Sequence, residues 1–126
     1  MRNQMAEIVN RIQTRYPQKL MNDTKWREVW TLIAASEQRL RMKYADSDVW
    51  NSDNADRLHG PFPADYVLKH GIRDPGIGGP FTYVEIYSLE IPKSNPGFDA
   101  FLNGLKSLGV LPITEHATYI EILGYR

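Results

Sequence analysis

Three histidines, His59, His70 and His116, and two glutamates, Glu85 and Glu121, are the residues here with types suited to acid–base chemistry. The glutamates hold equivalent places in two similar runs, Thr82-Tyr83-Val84-Glu85-Ile86 and Thr118-Tyr119-Ile120-Glu121-Ile122. If those runs were strands lying side by side in register, the carboxylates could approach. A close carboxylate pair raises one pKa, and a histidine titrates near neutral pH. A pocket uniting the five side chains would therefore serve a small enzyme or a ligand-binding domain. Solvent-facing positions in alternating strands explain the same glutamates without any chemistry. The histidines show neither HExxH nor another close ligand spacing, and the chain has no cysteine. That excludes thiol catalysis, disulfides and thiolate metal sites. No catalytic residue, metal or cofactor is assigned from the sequence.

A second set of residues suits recognition rather than reaction. Asp46, Asp48, Asp53 and Asp56 crowd a short window that also holds Trp50, Asn51 and Asn54. An EF-hand loop starting at Asp46 would use Asp46 and Asp48 correctly. It then fails at Trp50, at Asn51 where glycine is required, and at Arg57 where the bidentate glutamate belongs. The window fits a protein contact better, with Trp50 as anchor and the four aspartates complementing a basic partner. Gly76-Ile77-Gly78-Gly79-Pro80 is glycine-rich but lacks GxxxxGK[ST] and runs into a strand, so it reads as a turn.

These residues must be positioned by one domain. The 126 residues suffice to bury roughly two-thirds of the unfolded chain's surface. Met5, Ile8, Val9, Ile12 and Tyr16 predict a first helix over 4–15, which packs its apolar stripe on the domain or projects into a homodimer, packing being the better reading. Asn22-Asp23-Thr24 caps a second helix over 24–37, whose Trp26, Val29, Trp30 and Ile33 form a buried stripe. Leu40, Met42 and Tyr44 alternate with Arg39, Arg41 and Lys43, the pattern of a half-buried edge strand with a basic outer side. From 46 to 80 periodicity largely fails, apart from a short helix that fits 64–70 between Pro63 and Gly71.

The β-rich run Phe81–Ile91 predicts a central strand. Asn95-Pro96-Gly97 then opens a third helix bearing Phe98, Phe101, Leu102, Leu105 and Leu108, with Gly109 placed to end it. The last strand, 118–124, joins by a parallel crossover, or by a hairpin if 110–114 is itself a strand. The fold class is α+β: a small mixed sheet of three to five strands with three helices packed on it and a long irregular connection at 46–80. Residues 1–126 are expected to form a single domain, with 1–18 peripheral to a core of 20–126.

Net charge is zero, but residues 1–45 carry nine Lys/Arg and four Asp/Glu, and residues 46–126 carry six and eleven. The overall balance argues against a dedicated nucleic-acid binder. No apolar run approaches the roughly 20 residues that span a bilayer, and the N-terminus lacks the apolar core of a secretory signal. Cytoplasmic residence is expected.

Three pieces together resemble a family of small, functionally uncharacterised bacterial proteins. They are Asn22-Asp23-Thr24-Lys25-Trp26, Tyr83-Val84-Glu85-Ile86 and the closing Ile120-Glu121-Ile122-Leu123-Gly124-Tyr125-Arg126. The resemblance covers about residues 20–126 and is carried mainly by the Asn-x-Thr-Lys-Trp start and the Gly-Tyr-Arg end, with 46–80 elaborated. It implies the domain limits and a bacterial origin, and it brings no catalytic residues. Compact cysteine-free bacterial proteins often serve as immunity partners of secreted toxins, an association that makes an immunity-type inhibitor the leading expectation. The enzyme or ligand-binding domain and a structural homo-oligomer are the alternatives.

Overall fold

The computed structural model describes residues 2–46, 57–73 and 81–126. Helix α1 (Arg2–Arg15) leads to α2 (Asp23–Ala35) and then to strand β1 (Arg41–Tyr44). Two short strands follow, β2 (Gly71–Ile72) and β3 (Phe81–Thr82), before the long strand β4 (Ile86–Pro92). Helix α3 (Phe98–Ser107), β5 (Ile113–Glu115) and β6 (Tyr119–Leu123) complete the chain. The class is α+β, with a four-stranded sheet in the order β1-β4-β6-β5 and a separate two-stranded β2–β3 sheet.

The stripe of α2 read from the sequence is buried, as are Ile12 of α1 and Phe98, Phe101 and Leu105 of α3. Asn22 caps α2 by accepting the Lys25 N–H on its side chain at 2.8 Å, which satisfies one of the helix's free donors. Trp26, Val29, Trp30 and Ile33 then face the sheet and pack with Met42, Leu89, Ile91, Ile120 and Ile122. Phe98, Phe101 and Leu105 of α3 complete that core, in which each fully buried apolar side chain contributes about 2 kcal/mol. Gly109 ends α3 at φ +111°, a backbone region that glycine occupies without strain. The strand alternation of residues 40–44 also holds, since Leu40, Met42 and Tyr44 are buried and β1 is an edge strand.

The run Phe81–Ile91 is not one strand. It divides into β3, a single 3₁₀ turn at Tyr83–Glu85, and β4. The cause is local: a Glu85 carboxylate oxygen accepts both the Thr82 N–H at 2.8 Å and the Thr82 hydroxyl at 2.9 Å. This Thr-x-x-Glu closure caps a helical turn rather than extending a strand. The expected helix over 64–70 likewise shrinks to one 3₁₀ turn, Ala64–Tyr66, because Val67 already pairs with Ile72.

All pairings are antiparallel, so the sheet is not mixed. The residues after α3 form β5, which turns back into β6 as a hairpin, and β6 therefore runs against β4. At the far end of β6, Gly124 fits where a Cβ would lie 2.3 Å from the Ile86 carbonyl oxygen and 3.2 Å from Trp26 Cζ2. The closing residues then pair with the stretch between α1 and α2. Leu20 N–H donates to Gly124 O at 2.9 Å and Arg126 N–H to Gln18 O at 3.0 Å.

Helix α1 is docked rather than projecting. Ile12 is buried with Ala45 and Tyr125 in a second, smaller cluster, flanked by Ile8, Tyr16, Val84 and Tyr87. Tyr16 stacks on Tyr125 with ring centroids 5.8 Å apart and leans on Tyr87 at 4.9 Å. Among the described residues no helix is long and apolar enough to cross a membrane.

Candidate functional site

Side chains alternate across a strand, so the residues of β1, β4 and β6 that do not enter the core share the other side of the sheet. Register sets Glu90 of β4 directly opposite Glu121 of β6, and Arg41 of β1 opposite Glu90. Two carboxylates facing each other across strands repel. A lysine on one flank offsets that repulsion, and an imidazole contacts the pair on the other. Lys43 Nζ lies 3.2 Å from Glu90 Oε2, and His116 Nε2 lies 3.2 Å from Glu121 Oε1. The His116 ring is stacked on Tyr119 with centroids 4.3 Å apart. Burial works to lower the Lys43 pKa, but the Glu90 hydrogen bond and the charges of Glu90, Glu121 and Tyr119 outweigh it and raise the value overall. Only 14% of the Glu90 side chain and 16% of that of Glu121 are exposed, so the pair is shielded more than a surface ion pair.

This network unites two of the five residues singled out for acid–base work, His116 and Glu121, and leaves three apart. Glu85 is spent on closing the 3₁₀ turn with Thr82. His70 Nδ1 lies 2.6 Å from Asp23 Oδ2 at the start of α2. His59 exchanges two main-chain hydrogen bonds with Leu40, at 2.7 and 3.0 Å. The expected pocket of His59, His70, His116, Glu85 and Glu121 is therefore not assembled. The partner that faces Glu121 is Glu90, not Glu85, because the turn at 83–85 displaces Glu85 from the strand ladder. Among the described residues no group of three or more histidines and carboxylates is placed to hold a metal ion.

Glu90, Lys43 and Tyr119 were not among the residues singled out. The signal available for Lys43 was the alternation of β1; register alone brings in the others, and register between distant strands cannot be read from one sequence. Chemically, the His116–Glu121 contact is a hydrogen-bonding pair, and Lys43, Glu90 and Glu121 can hold a polar partner surface. The larger hollows lie elsewhere. One of about 600 Å³ is lined by Arg27, Thr31, Leu32 and Leu108, and one of about 430 Å³ by Leu68, Ile72 and Phe81.

Of the residues expected to contact a partner, Asp46 is described and Asp48, Trp50, Asp53 and Asp56 lie outside the described residues. Asp46 follows β1 and accepts two hydrogen bonds from Arg11 of α1, at 2.9 and 2.8 Å. These bonds hold the Asp46 carboxyl below its ordinary range, with partial burial opposing and the charges of Arg11 and Arg15 adding to the effect. The chain is next described from Arg57, and His59 pairs with Leu40 just ahead of β1. The two points where it leaves and rejoins the described body thus lie beside opposite ends of one edge strand. Leu58, next to the return, is a large apolar side chain that remains exposed, as do Leu68 and Val110.

The residues that carried the family resemblance have structural work. Asn22 caps α2, Lys25 Nζ donates to Leu108 O at 2.6 Å where α3 ends, and Trp26 is buried beside Gly124. Tyr125 donates its hydroxyl to Val84 O. The Asn-x-Thr-Lys-Trp start and the Gly-Tyr-Arg end therefore meet in space as a clasp. Comparison with known proteins finds no matching family model, curated protein or solved structure.

Proposed function

We propose that this chain is a protein-binding module, an immunity-type inhibitor that neutralises a basic toxin domain by covering it in the bacterial cytoplasm. The observation that carries the reading is the anchoring of the acidic stretch. Arg11 fixes Asp46 at one end of β1, and the Leu40–His59 pair fixes the return at the other. A stretch held at both ends loses less freedom on binding than a free one, which favours its use as a contact surface. Its sequence supplies four aspartates and one tryptophan, a charge and an anchor suited to a cationic protein.

The enzyme reading retains only the His116–Glu121 contact, since the side chains of Glu85 and His70 bond to Thr82 and Asp23 and the His59 main chain is paired with Leu40. Self-association through α1 would have to use the outer side of that helix, because Ile8, Ile12 and Tyr16 pack on the body. The test is affinity capture from a bacterial lysate with the full chain as bait and mass-spectrometric identification. A basic protein retained by the parent chain and released by raised salt is the expected result. Retention of no protein, or only of partners that ignore salt, would count against it.

A further inference from the structure

We infer that a cleft at the C-terminal end of α2 is a binding site for a small zwitterion, a free amino acid or a dipeptide. The cleft has a volume of about 360 Å³, at the lower end of the range for small-ligand sites, and none of its lining residues belongs to the charged network of Lys43, Glu90, His116 and Glu121. Its walls include Pro61, Pro96 and Ala35, and Glu37 and Arg39 line it with opposite charges.

Behind the lining lies an amide network. Gln38 is fully buried, and its Nε2 donates to Ser36 O at 3.1 Å and to Pro96 O at 3.0 Å. Its Oε1 accepts from Asn95 Nδ2 at 3.2 Å, and the same nitrogen donates to Arg39 O at 2.8 Å. Gln38 thus locks the backbone of residues 36–39 against the Asn95–Pro96 turn. With Gln38 pointing inward, the flanking Glu37 and Arg39 are both exposed at the cleft. Among the described residues neither is in an ion pair.

Glu37 is also held at φ 54°, the one non-glycine residue at positive φ among those described. It occupies the position after the α2 cap, where its N–H donates to Ala34 O and the Gln38 N–H to Ile33 O. Glycine adopts that conformation at less cost, and glutamate there spends stability to place a carboxylate at the rim. A guanidinium pairs a carboxylate through two parallel hydrogen bonds, and a carboxylate accepts from an ammonium. A ligand carrying both groups complements this pair in charge, with the proline walls left for its apolar part.

The test is a titration of the full chain followed by amide resonances, with L-alanine and glycylglycine as zwitterions and acetate and ethylammonium as half-ligands. Saturable shifts at Ser36–Leu40 and Gly97 with a zwitterion, and responses about tenfold weaker or absent with the half-ligands, are expected. Whichever zwitterion binds more tightly identifies the ligand's length. Glu37→Gly relieves the backbone and should raise Tm by about 3 °C while weakening zwitterion binding at least about tenfold. Arg39→Ala should weaken it similarly with Tm unchanged. Absence of saturable shifts up to about 20 mM with both zwitterions overturns the site. Undiminished binding by a folded Glu37→Gly chain overturns it equally.

Discussion

Arg11 grips Asp46 with both ends of its guanidinium fork, Nε to Oδ1 at 2.9 Å and Nη2 to Oδ2 at 2.8 Å. The two residues are 35 positions apart in sequence and join the first helix to the point where the acidic stretch begins. Bidentate geometry specifies direction as well as contact. It fixes how the chain leaves the edge strand, which is what a presented binding segment requires.

That contact has a pH signature. The Asp46 carboxyl is lowered in the folded chain by Arg11, so the pair stabilises above the unfolded carboxylate value of about 4. The contribution disappears as pH falls through the lower folded value. Arg11→Gln should therefore unfold at higher pH than the parent on acid titration by circular dichroism. The two curves should converge at the acid extreme, and at high salt the gap should narrow, because the pair is partly exposed. Coincident curves at every pH would dismiss the contact as inconsequential.

The alkaline limb is set by two buried phenols. Tyr83 donates to Leu68 O at 2.6 Å and Tyr125 donates to Val84 O. Burial, chiefly, pushes both pKa values up to about 12. A raised folded pKa gives stability that is complete below the unfolded value of about 10 and is lost as pH climbs through about 12. These two tyrosines should ionise only as the fold is lost. Phenolate absorbance recorded beside circular dichroism checks this. Their ionisation at pH 10 with the fold intact would contradict it.

Gly124→Ala should cost about 3 kcal/mol, measured by urea unfolding. Its new Cβ would meet the Ile86 carbonyl oxygen at 2.3 Å, a backbone atom that cannot swing aside. A loss under about 1 kcal/mol would mean that the junction of Trp26 with the closing residues is looser than described.

Glu85→Ala should cost about 1 kcal/mol, the worth of its bonds to Thr82, and leave partner affinity unchanged. The same unfolding measurement serves. A variant of full stability, or one that loses partner affinity while folded, would return Glu85 to the functional residues.

The helices were legible because their signal is local. Trp26, Val29, Trp30 and Ile33 announce one buried side, Asn22 its start and Gly109 the end of α3. The alternation of Leu40, Met42 and Tyr44 likewise reported β1 and its edge position. The Glu85 and Glu121 runs show where local reading stops. Thr82-Tyr83-Val84-Glu85 closes a turn, whereas the near-identical Thr118-Tyr119-Ile120-Glu121 enters a strand. Pairing of Tyr119 and Ile120 with Pro92 and Ile91 decides the second case, and that partner is distant in the chain. The facing of Glu90 with Glu121 and the grip of Arg11 on Asp46 depend in the same way on register and docking. Neither leaves a mark in one sequence.

The binding account turns on the stretch that Arg11 and Leu40 hold at its two ends. The most direct measurement is the dissociation constant of the captured partner, by calorimetry, for the parent chain and for Asp48→Ala/Trp50→Ala. Circular dichroism first verifies that the variant is folded. The account predicts at least about 30-fold weaker binding for the variant, as for loss of a tryptophan anchor, and parent affinity that falls with salt. Equal dissociation constants for the two chains would contradict it.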